Sequence, residues 1–144
     1  MARPKLDVDR ATSERLGRIR QKGTAAELAV RAVVASLGVR YRVTNGDLPG
    51  RPDIANRKRR WAIFVHGCFW HRHPGCYRTT TPKRNRAFWL AKFKANRQRD
   101  VRVIRELRAQ GYAVLVIWEC ETLGTPTFRS RVTRFLRSRR TSVA

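Results

Sequence analysis

The chain has 144 residues, with 33 Lys and Arg against 10 Asp and Glu, and a formal charge of +23. That length predicts one domain. Its field attracts polyanions, which puts nucleic acid ahead of a membrane surface, a ribosomal role or a merely Arg-rich proteome. No stretch approaches the roughly 18 apolar residues of a membrane span, no secretion signal opens the chain, and three cysteines cannot pair off. A cytoplasmic, nucleoid-associated protein with metal-bound or free thiols is therefore expected.

Residues 1–23 are basic and poor in apolar groups, with Arg18, Arg20 and Lys22 around a short possible helix from Ser13 to Arg20. Such composition fits an arm that orders on a partner, or a plain surface tail. Thr24-Ala-Ala-Glu27 is a capping box that opens a helix through Leu37, with Gly38 as its stop. Here Glu27 has a structural explanation of its own. Val39 to Thr44 alternates as a strand, Asn45-Gly46-Asp47 is a turn, and Leu48-Pro-Gly-Arg-Pro leads rigidly into a brief strand from Asp53. After a basic tip, Trp61 to His66 forms the central strand.

Residues 85–110 read as a long helix with Phe88, Phe93, Val101, Ile104 and Leu107 as its apolar positions. Ala113 to Glu119 is a continuous apolar run, as in a buried strand of a mixed sheet. Pro126 to Arg140 is a basic amphipathic helix. These elements predict one layered α/β domain, organised as an arm (1–23), a core (24–122) and a basic C-terminal helical extension (123–144).

Three constellations carry chemistry. Cys68, His73 and Cys76 lie close together and Cys120 ends a later strand, which suits a closed tetrahedral zinc site of structural type; on spacing alone His71 could replace His73. Asp53 on a turn before the central strand, with His66 and His71 just after it, suits hydrolysis, with magnesium stabilising charge on a scissile phosphate and histidine moving protons near neutral pH. Phe69, Trp70 and Trp89 are aromatics on a basic chain. They can wedge between base pairs where a duplex is already mismatched, although Trp89 and Phe88 equally suit packing of the long helix on the sheet.

The motifs LPGRPDI, IFVHGCFWH, the following Cys76, FW at 88 and 89, NRQRDVRVIREL and VLVIWEC resemble, in order and spacing, the very-short-patch-repair (Vsr) mismatch endonucleases. The resemblance runs from about Arg15 to Cys120 and implies a restriction-endonuclease-like α/β core, a mixed sheet flanked by helices, with one structural zinc. It also implies a magnesium-dependent nick 5′ to the T of a T:G mismatch left by 5-methylcytosine deamination.

By the same resemblance Asp53 is the magnesium-binding carboxylate, with two magnesium ions expected and the Val65 main-chain carbonyl as a further contact. His66 and His71 match essential histidines, Asp100 the group that orients His71, and Glu27 a helix glutamate near them. Cys68, His73, Cys76 and Cys120 match the zinc ligands, Phe69, Trp70 and Trp89 the intercalating aromatics, and the basic residues before Thr24 a DNA-clasping arm.

The implied partner is double-stranded DNA with a T:G mismatch, bound by a monomer in a bacterial cytoplasm. A functional link to a cytosine-5 DNA methyltransferase and contact with mismatch-repair proteins follow from the same family. Pro74-Gly75 lengthens one zinc-ligand spacing relative to some members, and the arm's Arg-Leu-Gly-Arg-Ile-Arg run departs from the family's usual one. Two alternatives compete: a zinc-stabilised mismatch-binding module without cleavage, and a related nickase for another mismatch or for modified DNA.

Overall fold

The computed structural model describes residues 24–124 and 126–140, so the basic arm with Arg18, Arg20 and Lys22 lies outside the described residues. Helix α1 (Ala25–Ser36) starts at Thr24, whose hydroxyl accepts the Glu27 N–H at 3.2 Å, the capping bond read from the sequence. Two short strands follow, β1 (Ile54–Asn56) and β2 (Trp61–His66), then a single helical turn α2 (Cys68–His71) and the long helix α3 (Arg86–Ala109). Strand β3 (Ala113–Trp118), a 3-10 turn at Glu119–Thr122 and helix α4 (Thr127–Arg140) complete the order. Among the described residues no helix is long and apolar enough to cross a membrane.

The sheet is mixed, in the order β1-β2-β3, with β1 antiparallel to β2 and β3 parallel to it. Alternation along β2 splits the core into two layers. Trp61 and Ile63, with Ile54 and Ile117, pack beneath α1 and α4, while Ala62 and Phe64 join Val103 and Leu107 of α3 on the other face. His66 has the parity of Ala62 and Phe64, so β2 directs it toward the α3 layer, and its ring lies 5.7 Å from that of Phe64. Phe128, Val132 and Leu136 of α4 are buried in the same cluster as Val30 and Val34 of α1. Burying a side chain of that kind contributes roughly 1.5–3 kcal/mol, so the basic C-terminal helix is part of what holds the sheet.

Three expectations are corrected. The strand predicted over 39–44 is reduced to one bridge between Arg42 and Ala55, because the buried Asn45 turns the chain by donating from Nδ2 to the carbonyls of Arg42 (2.9 Å) and Pro52 (3.0 Å). β3 is an edge strand among the described residues and, apart from Ile117, only half-buried. On α3 the buried positions are Trp89, Phe93, Val103 and Leu107, whereas Val101 is 57% exposed. The helical repeat through Leu107 and Val103 leaves Val101 on the solvent side.

The approach to Asp53 is tightly fitted. Gly50 adopts φ +71°, and a Cβ there would lie 2.6 Å from Val103 Cγ2 and 2.8 Å from its Cβ. Gly50→Ala therefore combines backbone strain with a clash in the α3 layer, and a loss of about 2–3 kcal/mol is expected in chemical denaturation. An unchanged midpoint would show that the turn yields without cost.

Candidate active site and metal centre

Pro52 has no N–H to donate, so the β1–β2 ladder stops at the pairing of Ile54 with Ile63. Beyond that point the Asp53 carboxylate takes over, accepting the Val65 N–H through Oδ2 at 2.7 Å. Desolvation is the main cause that raises the Asp53 pKa from 3.8 to about 6; the Val65 N–H opposes it, and the nearby Glu27 carboxylate adds to it. Glu27 is itself buried, with Oε1 accepting from Arg31 at 2.5 Å. The Asp53 carboxylate thus sits poorly solvated, under the added influence of the Glu27 charge.

The histidines come together by a local fold. The turn of α2 runs from Gly67, whose carbonyl accepts the His71 N–H at 3.1 Å, to Arg72 in the left-handed region at φ 56°. This single turn after β2 brings His71 back against His66, with ring centroids 3.9 Å apart and planes 4° from parallel. Asp100 of α3 accepts from His71 Nδ1 through Oδ2 at 2.6 Å. His66 is buried, and burial first, then the neighbouring His71, lowers its pKa to about 3, so it is neutral at physiological pH.

A second cluster lies just beyond. Cys68, His73, Cys76 and Cys120 each offer a ligand atom, all within 4.8 Å of one another. His73, rather than His71, is the imidazole of this set, and its Nδ1 lies 3.3 Å from Cys120 Sγ. Burial pushes the Cys68 thiol up to about 12, and the Cys120 thiol is raised for the same first reason, whereas the Arg78 backbone N–H lowers that of Cys76. Three sulfurs and one imidazole, gathered with no hard oxygen among them, fit a soft or borderline metal in a closed tetrahedral site.

The aromatics divide. Trp89 is 4% exposed, edge-on to Phe69 (centroids 5.9 Å) and stacked near Phe93 (5.8 Å), which places it among the packing residues of α3. Phe69 and Trp70 are half-buried, edge-on to each other at 5.1 Å. Several residues not singled out from the sequence hold this region. The Arg72 guanidinium lies 3.9 Å over the Phe93 ring and donates to the Thr80 carbonyl at 2.7 Å. Asn96 donates to the Trp70 carbonyl at 3.2 Å, and Arg78 pairs with Glu119 at 2.9 Å. Only the left-handed backbone at Arg72 marks it out, and that is not visible in a sequence.

The family model described as DNA mismatch endonuclease Vsr matches residues 7–78. The chain is 42% identical over 132 residues to the type II nicking enzyme V.XorIIP of Xanthomonas oryzae pv. oryzae, covering 89% of this chain and 96% of that relative. It is 40% identical over 117 residues to the DNA mismatch endonuclease Vsr of Escherichia coli, covering 81% and 74% of the two chains. With the type II nicking enzyme V.NmeAIP of Neisseria meningitidis it shares 38% identity over 120 residues, or 83% and 85% of each chain. This chain belongs to the Vsr family of DNA mismatch endonucleases and is a nuclease.

Proposed function

We propose that the chain nicks one strand of duplex DNA 5′ to the T of a T:G mismatch, in a magnesium-dependent reaction that opens very short patch repair of deaminated 5-methylcytosine. The observation that carries this reading is the Asp53 carboxylate bound to Val65 N–H at 2.7 Å, at the end of β2 that also carries His66. In a strand the N–H and C=O of one residue project toward the same edge, so the Val65 carbonyl is available on the Asp53 side. Asp53 and that carbonyl would hold magnesium, with Glu27 close enough to add negative charge. When bound, magnesium supplies Lewis acidity toward the scissile phosphate.

The protein's own groups do the rest. Asp100 accepts the Nδ1–H hydrogen bond of His71, which fixes the proton on Nδ1 and leaves Nε2 as the nitrogen that exchanges a proton at the reacting centre. His66, kept neutral by burial, stacks against that ring and restrains its tilt. Phe69 and Trp70, braced from below by Phe93 and Trp89, are the surface that wedges at the mismatch, where unstacking costs least. Cys68, His73, Cys76 and Cys120 would hold a structural zinc, which would anchor the turn α2 that carries Phe69 and Trp70. The core is restriction-endonuclease-like, and the family's link to a cytosine-5 methyltransferase and to mismatch-repair proteins extends to this chain.

The test is nicking of end-labelled duplexes, T:G against C:G and other mismatches, with magnesium or EDTA. A single magnesium-dependent nick 5′ to the mismatched T supports the reading. Nicking with another preference replaces the substrate, and mismatch binding without any nick reduces the chain to a recognition module. Asp100→Asn is expected to slow nicking about 100-fold and to change the pH–rate profile, because the orienting charge is lost while a hydrogen-bond acceptor remains. A rate within about twofold of the parent, with an unchanged profile, would remove Asp100 from the mechanism.

A further inference from the structure

The two histidines of the nuclease centre are held in different ways. Asp100 fixes His71 by a hydrogen bond to Nδ1 at 2.6 Å. His66 is buried, and among the described residues no protein group hydrogen-bonds its imidazole. Its tilt is therefore set by the rings around it. His71 lies flat against it at 3.9 Å, Phe64 stands at 5.7 Å, and the Trp118 indole stands at 5.3 Å with its plane 73° from that of the imidazole. Edge-on contacts of this kind are favourable and directional.

Strand register brings Trp118 to that place. β3 runs parallel to β2, and Trp118 pairs with His66 as the last residue of each strand. It has the parity of Val114 and Val116, which pack on the α3 layer, so it faces the same way as His66. The indole also stacks on His73, with centroids 4.4 Å apart and planes 13° from parallel. One half-buried side chain thus touches an imidazole of the nuclease centre and the imidazole of the cysteine cluster.

Its backbone is anchored independently. The Trp118 N–H donates to Glu121 Oε1 at 3.1 Å, Glu121 is paired with Arg131 of α4, and Arg131 donates to the Val116 carbonyl at 3.1 Å. The basic C-terminal helix therefore grips β3 where it ends. A ring fixed through its backbone and over one face is a firm stop for its neighbour.

We infer that Trp118 is a positioning residue of the nuclease centre: stacked on His73 and set against His66, it fixes the tilt of the His66 ring and, through the 3.9 Å stack, that of His71. The inference rests on the proposal that His71 exchanges the proton. A misplaced proton-transfer group lowers kcat and leaves KM nearly unchanged.

The test uses the full-length, zinc-loaded chain. It has three histidines, and His71→Gln identifies the His71 imidazole signal by NMR in the absence of DNA. Trp118→Leu is expected to shift that signal and to lower kcat for nicking a T:G duplex about tenfold, with KM within about twofold of the parent and zinc retained. Trp118→Phe keeps a flat ring and is expected to stay within about threefold of the parent rate. Val132→Ala removes buried volume from the α1–α4 layer and controls for plain destabilisation; it should move neither the signal nor the rate. An unmoved His71 signal in Trp118→Leu, equal losses in the Leu and Phe variants, or a shift shared by Val132→Ala would overturn the inference. Loss of zinc from Trp118→Leu would also overturn it, because Trp118 would then support the cysteine cluster alone. A parent that does not nick sinks the proposed reaction, while the NMR arm still decides whether Trp118 places His71.

Discussion

Asp53→Asn is expected to abolish magnesium-dependent nicking, by at least about 10³-fold, and at the same time to make the metal-free protein more stable at neutral pH. The two effects share one cause. Asparagine can still accept the Val65 N–H through its amide oxygen, so the 2.7 Å contact that ends the sheet survives. What is lost is the charge. In the parent chain burial raises the Asp53 pKa from 3.8 to about 6, so between those values the folded protein keeps a proton that the unfolded chain releases. Stability therefore falls as pH rises through that window, and above it the whole cost is present, roughly 2 kcal/mol once partial exposure is allowed for.

Asparagine is neutral throughout, which removes the slope as well as the cost. Magnesium should act in the opposite sense, stabilising the parent above pH ~6 by binding only the folded state, and leaving the variant unmoved. Thermal unfolding in EDTA and in magnesium between about pH 4 and 8 reads both parts. A variant that melts below the parent at neutral pH in EDTA would mean that Asp53 is a structural cap rather than a site held ready for a cation. Such a carboxylate is an instance of stability given up for function.

How much of this was legible depended on whether a feature is local. The capping bond of Thr24 and the bounds of β2 came directly from a motif and an apolar run. The three cysteines of the cluster were equally open to reading, because thiol ligands are distinctive and few, whereas spacing left its imidazole open between His71 and His73. What could not be read were matters of direction. Nothing in the string His66-Gly-Cys-Phe-Trp-His71 states that one helical turn will stack the two imidazoles 3.9 Å apart. That depends on the single turn closed by the His71 N–H on the Gly67 carbonyl, which ends at the left-handed Arg72.

Val101 and Trp89 show the same limit on α3. With apolar and aromatic groups on several sides of a 24-residue helix, the face that packs is chosen by the sheet beneath it. The strand expected at 39–44 failed for a third reason: among the described residues its partner is the three-residue β1, and Asn45 bends the chain away after one bridge.

Cys68→Ser is expected to reverse the stability result of Asp53→Asn, lowering the unfolding midpoint by an amount equivalent to several kcal/mol when zinc is present, and to abolish nicking although every residue at the magnesium site is intact. The loop from Arg72 to Thr81 contains no strand or helix. It is held by the Arg72 bonds to Thr80 and Thr81 and by the Thr79 hydroxyl on the His73 carbonyl at 2.7 Å. With the Arg78–Glu119 pair, those bonds hold the segment that follows α2, and α2 carries His71, Phe69 and Trp70.

Zinc bound by Cys68 at the start of α2, by His73 and Cys76 on this loop and by Cys120 after β3 would tie the end of β2 to the end of β3. In its absence the fully buried Cys68 thiol, its pKa pushed up to about 12 by burial, stays protonated among its neighbours and contributes only packing. Serine keeps nearly the same volume and cannot replace a soft ligand, so the variant isolates coordination from shape. Metal analysis should find one zinc per chain in the parent and much less in the variant, and a strong chelator should bring the parent's unfolding curve down to that of the variant. A parent that carries no zinc, or whose unfolding a chelator leaves unchanged, would reduce the cluster to three thiols and an imidazole packed together, and the rigidity of the His71 turn would then rest on the protein's own contacts, among them those of Arg72, Asn96 and Asp100.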